Sequence, residues 1–75
     1  MPTNPEKIDI TTEFIRLDSA LKFAGCAGTG GEAKLLIQEG QVRVNGEPCI
    51  QRTKKLRTGD LIEFENKSFI ISGVE

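Results

Sequence analysis

Histidine, tryptophan and tyrosine are absent from this 75-residue chain. Without histidine, the side chain that most often moves protons or binds metals near neutral pH is missing. No serine or cysteine can be partnered by an imidazole base, and no paired carboxylates stand in a predicted cleft, so an enzyme is not expected. Cysteine is scarce as well. Cys26 and Cys49 form no C-x-x-C and have no histidine beside them, which excludes the common zinc spacings, and no metal or other cofactor is expected. No apolar run approaches the roughly 20 residues of a membrane span, and the polar stretch Met1 to Ile10 does not read as a secretory signal. The expectation is a cytoplasmic protein with two reduced thiols and no membrane partner.

Length limits what remains. A chain of this size buries only about 60% of its unfolded surface, and such a core rarely yields more than about 3–5 kcal/mol of net stability. That leaves no material for a deep cleft with its own lid. Residues 1–6, with Pro2, Asn4 and Pro5, read as a flexible lead-in, and residues 7–75 as a single domain, expected to be monomeric.

The net charge of −1 hides a segregation. Between Arg16 and Arg57 stand eight basic and four acidic side chains, a net of +4, whereas the flanks hold two basic against seven acidic, a net of −5. Binding of a polyanion responds to local potential more than to the total, so the basic middle matters more than the acidic isoelectric point.

Periodicity places the elements. Lys7 to Ile15 reads as extended, with Ile8 and Ile10 alternating with Asp9. Leu17, Ala20, Leu21 and Ala24 have helical spacing, which predicts a first helix near Asp18 to Ala24 stopped by Gly25. Thr29-Gly30-Gly31-Glu32 has the form of a capping box, in which the threonine hydroxyl accepts a helix-start N–H and the glutamate reaches back to the Thr29 N–H. Ala33, Leu36, Ile37 and Gly40 then share a face, which predicts a second helix from Gly30 to Glu39. Val42 and Val44 switch to a period of two, and Asn45-Gly46 predicts a hairpin returning through Glu47 to Ile50. The polar, basic stretch Gln51 to Thr58 is interrupted only by Leu56, read as an anchor to the core. Leu61 to Glu65 and Ser68 to Ser72 read as strands joined at Asn66-Lys67. The fold class is therefore α+β, a two-helix hairpin packed on a small, mostly antiparallel β-sheet. Phe14, Phe64 and Phe69 are assigned to the core, and so is Phe23, although it is the one candidate for stacking on a base.

The candidate binding residues follow from charge and helix geometry. The first N–H groups of a helix lack partners and lie at the positive end of its dipole, which favours phosphate. Gly30 and Gly31 occupy that place in the second helix, Thr29 precedes them, and Lys34 lies on the same face and leans back over them. Lys22 falls on the polar side of the first helix, and Arg43 points away from Val42 and Val44. Arg52, Lys54, Lys55 and Arg57 put four cations into six residues, a pattern suited to following a nucleic-acid backbone.

Read in order, Leu17-x-x-x-Leu21-Lys22, Gly30-Gly31-Glu32-Ala33-Lys34, Gly40-x-Val42-x-Val44-Asn45-Gly46-Glu47 and Leu56-Arg57-x-Gly59-Asp60 resemble the S-four RNA-binding domain, the module named after the fourth small-subunit ribosomal protein. The likeness runs from about Phe14 to Phe64 and is greatest to small free-standing bacterial members. Gln51 and Thr53 stand where an arginine and a glycine are usual. The resemblance implies the alpha-L RNA-binding motif, in which a helix hairpin and an adjoining turn form the RNA-binding face. It places that face at Arg16, Lys22, Thr29 to Lys34 and the basic stretch. It further implies a structured RNA partner, ribosomal or tRNA-like, and contact with the ribosome or its precursors. The rival reading is a non-catalytic protein-interaction module or a β-grasp-like carrier, suggested by Asp60 to Glu65 and the V-x-V-N-G-E run. Those carriers use a flexible Gly-Gly end where this sequence reads Ser72-Gly73-Val74-Glu75. Docking on a ribosomal protein in place of RNA is a further alternative.

Overall fold

The computed structural model describes residues 5–73. Chain order is β1 (Glu6–Asp9), β2 (Ile15–Arg16), α1 (Leu17–Phe23), α2 (Gly30–Gln38), β3 (Val42–Val44), β4 (Glu47–Pro48), β5 (Lys55–Leu56), β6 (Leu61–Phe64) and β7 (Lys67–Ser72). Five strands form one sheet in the order β1-β7-β6-β3-β4; β1 runs parallel to β7 and the other pairs are antiparallel. β2 and β5 form a separate antiparallel pair, Ile15 opposite Leu56 and Arg16 opposite Lys55. This is the α+β arrangement expected from the sequence.

Alternation along the strands sends one set of side chains inward. Val42, Val44, Ile62, Phe64, Phe69 and Ile71 are buried with Leu17, Ala20, Leu21, Ala33 and Ile37 of the helices, so both helices cover the same face of the sheet. Leu56, fully buried, pins the basic stretch to this core as its sequence position suggested. Arg43 and Glu63, directly opposite each other on β3 and β6, lie on the uncovered face.

Turn chemistry fixes the connections. Asn45 and Gly46 take φ of 53° and 86°, the pair of positive values a two-residue hairpin turn needs. The Asn45 side chain also accepts from the Leu61 N–H at 3.0 Å and donates to Asp60 at 3.1 Å, tying this turn to the start of β6. Near the end of the chain the Gly73 N–H donates to Thr58 Oγ1 at 2.9 Å. A Cβ on Gly73 would stand 2.6 Å from that oxygen and 3.4 Å from Ile10 Cγ1, so any other residue would force the Thr58 hydroxyl to move.

Three expectations need correction. Lys7 to Ile15 is not one extended segment: bends at Thr11 to Glu13 divide it, and the Thr12 hydroxyl donates to the Phe14 carbonyl at 2.7 Å. The last hairpin turns at Glu65-Asn66, with Lys67 already paired opposite Phe64. Of the expected lead-in, residues 1–4 lie outside the described residues, and Glu6 already pairs in β1.

Candidate nucleic-acid interface

The basic stretch is bound to the start of α1 by its own backbone. No side chain caps that helix; Arg16 occupies the cap position in extended geometry. The Leu17 N–H donates to the Lys54 carbonyl at 2.9 Å and the Asp18 N–H to the Arg52 carbonyl at 3.0 Å. Two N–H groups that a helix start leaves without intrahelical partners are thus satisfied by the loop that carries the cations. The β2–β5 pairing adds to this by setting Arg16 directly opposite Lys55. Like charges directly opposite across strands are unfavourable unless compensated, and each of these two cations has its own compensating neighbour.

Three neighbours hold these cations in place. Asp18, almost buried, accepts from Arg16 Nε at 3.2 Å and Nη2 at 2.7 Å, and from the Ser19 N–H at 2.8 Å. It is the only ion pair among the described residues, and with the Arg16 side chain 48% exposed it contributes modestly to stability. Lys55 Nζ stands 4.8 Å from the centroid of the Phe14 ring, and the Arg57 guanidinium 6.0 Å. Phe14 is therefore no core residue. It is half-buried and lies under the two cations. Asp60 accepts from the Arg57 N–H at 2.8 Å and shapes the end of the stretch. Sequence reasoning missed the roles of Asp18 and Phe14; their closeness in the chain to Arg16 was the available signal.

The start of α2 is built differently. Thr29 is the cap, and its hydroxyl accepts the Glu32 N–H at 3.2 Å. The other half of the capping box is displaced by one residue: the Glu32 carboxylate takes the N–H of Gly28, at 3.1 Å, and not that of Thr29. The N–H groups of Gly30 and Gly31 have no hydrogen-bond partner within the described protein, and both glycines are exposed. Lys34, one turn on, is exposed and in no ion pair with another described residue. An anion could meet two backbone donors and one ammonium here, with the Glu32 carboxylate opposing it from the other side of the helix.

The structure thus brings Arg16, Arg52, Lys54, Lys55 and Arg57 together at the start of α1, and Thr29, Gly30, Gly31 and Lys34 together at the start of α2. The two groups are linked through the packing of α1 on α2. Lys22 is exposed on α1 between them in sequence. Arg43, on the uncovered sheet face, stands apart from both. Phe23 is a further correction, because it is 67% exposed and falls outside the Leu17/Leu21 stripe that faces the core.

On the far flank of α2 lies an open groove of about 570 Å³, walled by that helix, the α1–α2 connection at Cys26 and the β6–β7 turn at Glu65 and Lys67. Burial pushes the Cys26 thiol above its ordinary value, Glu65 and Glu6 push the same way, and Lys67 opposes them. A raised thiol is a poor nucleophile at neutral pH. Among the described residues, no cluster of three or more His, Cys, Asp or Glu side chains could hold a metal ion, and no helix is long and apolar enough to cross a membrane.

Comparison with known proteins agrees in extent with this architecture. The family model described as "S4 domain" matches residues 8–72. A Bacillus subtilis (strain 168) protein named "Probable ribosome maturation protein RlbA" is 45% identical over 62 residues, a span covering 83% of this chain and 84% of that protein.

Proposed function

The chain belongs to the S4 domain family, and we propose that it is a non-catalytic protein that binds structured RNA through its phosphates in association with the ribosome. The observation that carries this reading is the register that sets Arg16 against Lys55, with Arg52 and Lys54 tied by their carbonyls to the same helix start. Of the cations this register gathers, Arg52, Lys54, Lys55 and Arg57 have no acidic partner among the described residues, and phosphate is the ligand their potential attracts. The name of the Bacillus subtilis relative supports ribosomal RNA, or a precursor particle containing it, as the target, and so supports the cytoplasm as its place of action.

In this reading the five cations at the start of α1 follow one stretch of backbone. Gly30 N–H, Gly31 N–H and Lys34 hold a further phosphate. Lys22 contributes from the outer side of α1. Recognition is by the shape and phosphate spacing of folded RNA, since the aromatic at the centre of the basic cluster, Phe14, is covered by Lys55 and Arg57.

Salt dependence tests it. If about 3–5 phosphates are neutralised, the slope of log K against log salt is about −2 to −4. Affinity that hardly changes between about 50 and 200 mM salt would refute phosphate recognition. A pull-down repeated after RNase treatment separates the alternative: loss of the ribosomal partner supports RNA contact, and retention supports docking on a ribosomal protein.

A further inference from the structure

The two flanks of α2 differ in chemistry. Lys34 follows Gly30 on one. On the other, Gly31, Leu35 and Glu39 succeed each other at every fourth residue, along about 12 Å of helix axis. This second flank is the long wall of the groove described above. Its floor is apolar: Leu35 is 58% exposed, with half-buried Leu36 and Cys26 beside it. Its rim is acidic: Glu32, Glu39 and Glu65 outnumber the single Lys67. Such a surface repels a polyanion and cannot extend the phosphate-facing side. It offers an elongated apolar contact edged by negative charge, and the complement of both is a helix with apolar residues on one stripe and lysine or arginine beside it.

We propose that this groove docks a cationic amphipathic helix of a partner protein, with apolar side chains against Leu35 and Leu36 and basic ones against Glu39 and Glu65. The proposal uses none of the cations assigned to RNA; the two surfaces meet only at the start of α2, where Gly31 lies at one end of the groove. It makes the molecule two-sided, with nucleic acid held on one flank of α2 and protein on the other.

The test uses the full chain, labelled with nitrogen-15, and two synthetic 18-residue helical peptides. One carries leucine at i, i+3, i+4 and i+7 with lysine elsewhere; the other has glutamate in place of lysine. The lysine peptide is expected to shift the amides of Leu35, Glu39 and Glu65 saturably, and the glutamate peptide to leave them unmoved. Leu35→Ser, and separately Glu39→Lys combined with Glu65→Lys, should each weaken the lysine peptide at least tenfold without weakening structured RNA. Lys34→Ala should leave peptide binding unchanged. All replaced side chains are exposed, and circular dichroism verifies that each variant is folded. Equal binding of both peptides would overturn the proposal, as would shifts centred on the uncovered sheet face near Glu63. Groove amides that respond to structured RNA in the same way as to the peptide would also overturn it.

Discussion

The two helices begin in opposite ways. α1 has no capping side chain, and its first N–H groups are taken by the carbonyls of Arg52 and Lys54. α2 is capped by Thr29 from within its own sequence, and the N–H groups of Gly30 and Gly31 stay open. In the first case the helix end acts as an internal fastener, and its ligand is the loop that carries the cations. In the second it acts as a free pair of donors facing solvent. The same unsatisfied groups thus serve folding at one site and are available to a partner at the other.

The sharpest way to break this contrast is to remove the cations and leave both helix starts intact. Lys34→Ala, Lys54→Ala and Lys55→Ala together should lower RNA affinity by up to about a thousandfold, at about tenfold per lost charge-assisted contact. The salt slope should become shallower by about one per lysine. Stability should stay within about 1 kcal/mol, the loss of the Lys55 contact with Phe14 included. Undiminished binding in a filter or anisotropy assay would remove the proposed surface.

Asp18→Asn acts on the α1 start alone. It keeps the side-chain shape and the Ser19 N–H acceptor but frees Arg16. Stability should fall by about 0.5–1 kcal/mol, lowering Tm by about 2–8 °C, while RNA affinity rises several-fold. A variant that lost both stability and affinity would show that the ion pair positions Arg16 for binding. Thr29→Ala acts on the α2 start. Loss of the cap should cost about 1 kcal/mol, or about 4–8 °C in Tm measured by calorimetry.

The smallest expected effect comes from Glu32→Gln. The amide oxygen can still accept from Gly28, so Tm should fall by only a few degrees through loss of the carboxylate's own attraction to the helix start, but the charge opposing the open N–H pair is gone. RNA affinity should rise about twofold to fivefold, the range that single charges contribute at a helix start. No rise would mean that phosphate does not sit at Gly30 and Gly31.

Local signals were readable in the sequence wherever one residue type has one physical use. Thr29 before two glycines marked a helix start, Asn45-Gly46 marked a turn with two positive φ values, and Leu56 alone in a polar stretch marked an anchor. What the sequence did not disclose depends on partners distant in the chain or on geometry between elements. The attachment of the basic stretch to α1 runs through backbone carbonyls, which carry no sequence signature. The core reading of Phe23 fails because the residue lies off the Leu17/Leu21 stripe. The core reading of Phe14 fails because the bend at Thr11 to Glu13 breaks the extended segment and Phe14 lies under Lys55 and Arg57. The displaced half of the capping box shows the same limit, since a carboxylate one residue out of register satisfies Gly28 as readily as Thr29.

The parallel pairing of β1 with β7 has a bearing on how the molecule comes into being. Ile8 and Ile71, which that pairing aligns, stand more than 60 positions apart in the sequence, and both are sealed from water. During translation the first strand must therefore wait, unmatched, until the last has been synthesised, because its neighbour in the sheet does not yet exist. Helix pairing and the central hairpins can form earlier from local contacts, but completion of the sheet is a late event governed by closure across more than 60 residues.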